Sequence, residues 1–250
     1  MEHAEISSSQ SVEPSSFITR ATNVFMSPGE LYSEIAVAPV QSSSWLIPYI
    51  ISMVLGVLMT VAIFSNQSLS EQARRPQREA MQKQVEEGKM TQEQADQAES
   101  FMSPAMFMTV GAVGVVGVVT ASLFLIPLIL LGVTKVAFKY SAPYKKFLET
   151  YAIATLIGAF GGIITLLMMY SMDSMLAQPG AGFFLKDSFD PKNFMHSVLA
   201  SLNIFTIWEV SVVGIGLSKL TGRSLGSGMA VTFGIWLCWV LISSLGWGGQ

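Results

Sequence analysis

LNIFTIWEVSVVGIGLSKLTGR, residues 202–223, is the stretch that decides the class of this protein. It is apolar over the length a helix needs to cross a bilayer. It closes on two bases, Lys219 and Arg223, and holds Glu209, the only acid or base well inside any apolar run of the chain. Four further apolar runs stand around it. The chain is 51% hydrophobic and 12% charged over 250 residues, against about 25% charged in soluble domains. Mean hydropathy is +0.50. An integral membrane protein is the expectation.

The predicted spans are about 45–64, 106–134, 150–172, 196–218 and 228–247. Twenty residues from Trp45 to Phe64 rise roughly 30 Å as a helix, one hydrocarbon thickness. Trp45 and Tyr49 stand near the start of that span, as interfacial aromatics do, and Pro48 falls in its first turn. Within the second, Gly111, Gly114 and Gly117 leave room for a neighbouring helix, and Pro127 predicts a kink. The third span contains Gly158 and Gly162, a Gly-xxx-Gly spacing for close helix contact. Gly214 and Ser218 form a comparable smooth stretch in the fourth.

Polar segments complete the outline. Residues 1–16 read as a disordered tail. Residues 17–44 form a lead-in in which Ser27, Pro28 and Glu30 mark a helix start of capping-box type. Leu31, Tyr32, Ile35 and Ala36 follow at helical spacing, and the helix should stop before Pro39. Two placements are open for it: at the membrane interface, or on the protein's own surface. Met1–Gln41 has no signal-peptide core, so the first apolar run is expected to direct insertion. Residues 65–105 read as a polar helical hairpin with a break near Pro76 and a second start at Thr91 and Gln94. The expected fold is thus all-α: a bundle of five transmembrane helices, an N-terminal amphipathic helix, and a helical hairpin between spans one and two.

Orientation follows from the bases. Each side of a five-span chain receives seven Lys plus Arg. On the side of the N-terminus, six of them sit in two short loops at span ends, Lys135–Phe147 and Lys219–Ser227. Short loops weigh most in the positive-inside rule. The N-terminus is placed in the cytoplasm and the C-terminus outside.

Glu209 is the sharpest chemical feature. It lies roughly 15 Å of helix from Lys219, near mid-membrane, where a carboxylate costs at least about 2.5–3.5 kcal/mol on insertion scales. Two outcomes are open. It is protonated and hydrogen-bonded across helices, with Tyr151, Tyr170 or a neighbouring Ser or Thr as partner. Or it faces a water-filled cavity and serves ion, proton or small-solute movement. Asn203 reads as an interhelical hydrogen-bonding residue and Trp208 as packing. His196 near a span end, and Asp187 and Asp190 in a turn, are not ligand patterns. Cys238 is the only cysteine and falls in an apolar run. No metal or cofactor is expected. There is no His-Glu-x-x-His, Gly222-Arg223-Ser224-Leu225 lacks the second glycine of an intramembrane serine protease motif, and no phosphate loop follows a strand. The acids of 65–105 lack a calcium-loop pattern. The protein is not expected to be an enzyme. The basic residues form no aromatic-interleaved patch, which speaks against nucleic acid. The expected partners are the lipid bilayer and other membrane proteins or a second copy of the chain. No small-molecule ligand can be named.

Val24-Phe25-Met26-Ser27-Pro28-Gly29-Glu30-Leu31-Tyr32 resembles the lead-in of the Yip (Ypt-interacting protein) family in its bacterial branch. Leu202-Asn203-Ile204-Phe205-Thr206-Ile207-Trp208, followed by Gly214-Ile215-Gly216-Leu217-Ser218-Lys219-Leu220-Thr221-Gly222-Arg223-Ser224, is similar to that branch's fourth-span signature. The Lys-rich segment ending at Phe147 adds to the likeness. The resemblance implies a five-helix bundle in a bacterial inner membrane, with the lead-in on the cytoplasmic face. Eukaryotic members bind Rab-type GTPases and act in vesicle traffic and membrane shaping. Glu209 lies outside the resembling pattern.

Overall fold

The computed structural model describes residues 13–101, 103–186, 188–190 and 192–248, with the side chains of residues 100, 101 and 246–248 left aside. Its elements are helical, apart from an isolated bridge between Gly180 and Asn203. Five helices are long and apolar enough to span a membrane. They are α3 (Ser43–Ser65), α6 (Pro104–Ala137), α7 (Tyr144–Met172), α9 (Ile204–Thr221) and α10 (Leu225–Gly248). Their apolar side chains remain exposed where lipid would lie: on α3, Leu46, Ile50, Val54 and Leu58 form a stripe at four-residue spacing. This is a multi-pass membrane protein.

The central helix is α7. It buries Phe147, Ile153, Ala154 and Ile157 completely and packs against α3, α6 and α9, with α10 outside α9. Glycines set these approaches. A Cβ on Gly161 would fall inside the Phe205 side chain of α9, and one on Gly111 would stand 2.9 Å from Thr60 of α3. Gly114 and Gly117 face open space. Of the three glycines expected to receive a helix, one does so. The chain passes through Pro127 inside α6.

The lead-in is two helices, α1 (Phe17–Met26) and α2 (Pro28–Val37). Ser16 caps α1, accepting from the Thr19 N–H at 3.2 Å. Ser27 makes no side-chain cap. Its backbone carbonyl instead accepts from Glu30 and Leu31 at 3.1 Å, and Pro28 begins α2 directly, so the expected capping box is not formed. The two helices are antiparallel: Ser15 and Arg20 both reach Glu34. Their open ends lie beside Glu149, bonded to Arg20 and to the Gln41 N–H. Their tip lies deeper, where Phe25 packs edge-on against Phe160 and Trp208 at 6.1 and 5.8 Å. Phe160 is roughly 16 Å along α7 from Glu149. The lead-in packs on the protein's own surface, against α7 and α9, and this leaves its position relative to the membrane interface as expected from the sequence. Val24, Leu31, Tyr32 and Ile35 join the main core.

The polar insert is α4 (Gln67–Glu86) and α5 (Gln92–Phe101). The expected break near Pro76 is absent, because α4 continues through it. The turn comes at Gly88, whose φ of 71° is favourable only for glycine. The Lys89 N–H reaches back to Gln84, as in a glycine-terminated helix. Thr91 and Gln94 then form the expected capping box. Arg78 pairs with Glu99 at 3.1 Å across the hairpin.

The fourth span is not one helix over 196–218. It divides into α8 (Phe194–Ser201) and α9. At the break, the Ile204 N–H donates to Pro179 and Leu202 accepts from Ala181. Backbone pairing with the preceding loop thus replaces two helical bonds. Residues 1–12, most of the tail expected to be disordered, are outside the described residues, as are His3 and Asp187.

Candidate functional site

Two sites emerge, both of them bordered by α3 and α7. The first is the seat of Glu209, which α9 carries about 7.5 Å from its N-terminal end. Asn203 sets that register. Its side chain accepts from the Phe205 N–H at 2.9 Å, capping α9, and donates to Gln178 at 3.4 Å. The interhelical bond read from sequence is thus a contact to a loop, added to a cap. Trp208 packs on Phe25 and Phe205. Glu209 points to α7, where its Oε2 takes the space that a Cβ on Gly158 would fill. It makes no ion pair among the described residues.

In front of the carboxylate lies a cavity of about 290 Å³ between α3, α6 and α7. Tyr151, Thr155 and Gly158 of α7 border it, with Tyr49 and Ser52 of α3 and Ser122 of α6. Thr155 and Tyr49 spend their hydroxyls on Ala152 and Thr120, at 2.7 and 2.8 Å. Leu55, Val119 and Leu123 make the remaining wall apolar. Of the partners expected for Glu209, Tyr151 shares its cavity. Tyr170 does not, and donates to the Ala62 carbonyl at 2.5 Å.

Gly158 and Gly162 serve different neighbours: the carboxylate of Glu209, and Met59 of α3, whose sulfur would stand 3.1 Å from an added Cβ. Gly214 and Ser218 both face α10. A Cβ on Gly214 would meet Met229 and Thr232, and one on Gly228 would meet Ser218 at 3.0 Å. His196 accepts from the Asp190 N–H at 3.0 Å, a turn contact. No group of three or more metal-ligating side chains occurs among the described residues.

The second site went unread in the sequence. Arg20 and Glu149 are both fully buried and 2.5 Å apart. Arg20 also donates to Ser44 at 2.8 Å and to Glu34 at 2.7 and 3.1 Å. Glu34 keeps part of its surface in solvent. Burial alone would raise its pKa, but donation from Ser15 and the Arg20 guanidinium holds it below the usual carboxylate range. Lys146 donates to the carbonyls of Ile35 and Ala38 at the end of α2, where a cation satisfies the last turn. Arg20, Lys146 and Glu149 therefore fasten the lead-in to α7, and Glu34 braces Arg20 from within the lead-in. Glu149 Oε2 has no hydrogen-bond partner among the described residues. Beside them the Tyr32 hydroxyl donates to the Thr150 carbonyl at 3.0 Å. Burial, and secondarily the charge of Glu209, push that phenol well above its usual range. The signal was present in part: Phe17, Arg20 and Val24 share one face of α1, and the arginine alone departs from the apolar pattern.

A family model described as the Yip1 domain matches residues 22–247. No curated protein and no solved structure matches the chain.

Proposed function

This chain belongs to the Yip1 domain family, and we propose that it is a non-enzymatic member of the bacterial branch, sitting in the inner membrane with its N-terminus in the cytoplasm and organising the membrane or binding protein partners there. One observation carries this reading. The lead-in hairpin is fixed on its inner side, while its outer side holds Ile18, Met26 and Val37 77%, 76% and 68% exposed among Thr19, Thr22, Glu30 and Ser33. Large apolar side chains held outward on a fixed hairpin are a contact device for lipid or for an apolar segment of another membrane protein. Removing 17–39 outright is a poor test, since it also strips Arg20 from Glu149. The better variant is Ile18→Ser, Met26→Ser, Val37→Ser, which leaves the buried face intact. Photo-crosslinking from Thr22 in membranes should capture a set of neighbours that this variant loses, or the variant should alter vesicle shape on reconstitution. If crosslinks and vesicles are both unchanged, the reading fails. Orientation is checked in a Cys238→Ser background by labelling cysteines placed at Ser16 and Gln82, which should react from opposite sides.

The cavity at Glu209 supports a second reading: movement of a small solute, ion or proton past that carboxylate. Uptake by proteoliposomes that is lost in Glu209→Gln would favour it.

A further inference from the structure

The cavity in front of Glu209 has a lining that points to one class of occupant. Among the described residues, its only carboxylate is Glu209, and no lysine, arginine or histidine borders it. An unpaired carboxylate in a low-dielectric setting is a strong attractor of positive charge. The donor set does not suit a bare metal ion. Calcium takes six to eight oxygens and magnesium near-ideal octahedral geometry, whereas here one carboxylate stands among scattered hydroxyls. Two of those hydroxyls belong to Tyr49 and Tyr151, whose ring faces attract organic cations. The Tyr49 ring is held by its bond to Thr120 at 2.8 Å. Leu55, Val119 and Leu123 add hydrocarbon to the lining. At about 290 Å³ the space lies just below the usual size of ligand pockets, roughly 300–1,000 Å³, so the occupant is small.

Gly56, Gly158 and Gly162, from α3 and α7, all border the cavity. Gly158 in particular lets the carboxylate lie against α7, at the floor of the cavity, and a Cβ there would displace it.

We propose that this cavity binds a small organic cation, an ammonium group bearing apolar substituents, with Glu209 as its counter-charge and Tyr49 and Tyr151 flanking it. The proposal rests on the second reading above in using the same site, but binding and transport are separable. The probe is radiolabelled benzyltrimethylammonium, added to the full chain in nanodiscs of neutral lipid. Neopentylbenzene, its uncharged carbon isostere, is the competitor. Saturable binding is expected, at least tenfold weaker in Glu209→Gln, weaker in Tyr151→Leu and retained in Tyr151→Phe. Neopentylbenzene should not displace the probe. Absence of saturable binding overturns the proposal, as does equal binding by a folded Glu209→Gln protein. Should that variant fail to fold, the wild-type competition decides alone: displacement by the neutral isostere as effective as by the unlabelled cation overturns it. Binding without uptake by proteoliposomes upholds the site and removes the transport reading.

Discussion

Arg20 of the lead-in and Glu149 of the central helix meet at 2.5 Å with neither side chain exposed. They are far apart in sequence, so the contact clamps the lead-in hairpin to the central helix. A buried pair adds little over apolar packing, but breaking one is costly, because it strands the partner's charge. Arg20→Met should therefore destabilise the folded protein by about 3–5 kcal/mol. The double variant Arg20→Met, Glu149→Met should recover most of that loss. Unfolding midpoints in detergent check it. Equal loss in the single and double variants would mean that the arginine acts through its bulk.

The two segments that carry the family resemblance touch at Gly216. A Cβ there would lie 2.6 Å from Thr150 and 2.9 Å from the Tyr32 ring. Gly216→Ala should cost about 1–3 kcal/mol through overpacking and loosen α2 from α9. Gly114→Ala, which faces open space, should be neutral or slightly stabilising, since alanine is the better helix former. Comparing the two melting temperatures distinguishes close approach from helix propensity.

What sequence could and could not reveal divides along physical lines. Five spans were legible because apolar length is a local property. So was the Thr91 helix start, since both partners of a capping box sit within four residues. The turn falls at Gly88 rather than near Pro76 because the helix accommodates its proline, whereas the positive φ of the turn requires glycine. The split of span four was hidden for a different reason. Its apolar run is unbroken in composition, and Asn203 leaves the helix by pairing with residues about 25 positions earlier. The buried ion cluster was least legible. Glu149 follows two lysines and looks like part of a solvated loop, and only the folded lead-in brings Arg20 to it. Glu209 was found at once, but its neighbours were only partly named: Tyr151 shares the cavity and Tyr170 does not.

Pairing of α1 with α2 inside the lead-in should weaken in acid. Hydrogen bonds from Ser15 and Arg20 hold Glu34 below its ordinary value of 4.5. A depressed folded pKa gives stabilisation that is complete above the unfolded value and lost as pH falls through the folded one. Spin labels at Thr19 of α1 and Val37 of α2 should keep a fixed separation at neutral pH and spread as pH is lowered below about 4.5. Glu34→Gln should show a smaller acid response. An identical response in that variant would assign the acid sensitivity to another group.

Asn203 governs where along its helix Glu209 enters the bundle. If α8 and α9 joined into one continuous helix, the bonds of Ile204 to Pro179 and of Ala181 to Leu202 would be lost, and the residues after the break would rotate relative to α7. Asn203→Ala removes the cap on Phe205 and the contact with Gln178. A lost cap costs about 0.5–2 kcal/mol, and fusion of α8 with α9 would become easier. The expected result is a modest fall in melting temperature together with faster amide exchange at Ile204–Trp208. Glu209 should then sit less firmly on Gly158, and any ligand of the cavity should bind more weakly even though Asn203 does not touch it. Asn203→Asp keeps a capping oxygen and should preserve both. If alanine and aspartate behave alike, the backbone pairing at Pro179 and Leu202, and not the side chain, holds the break.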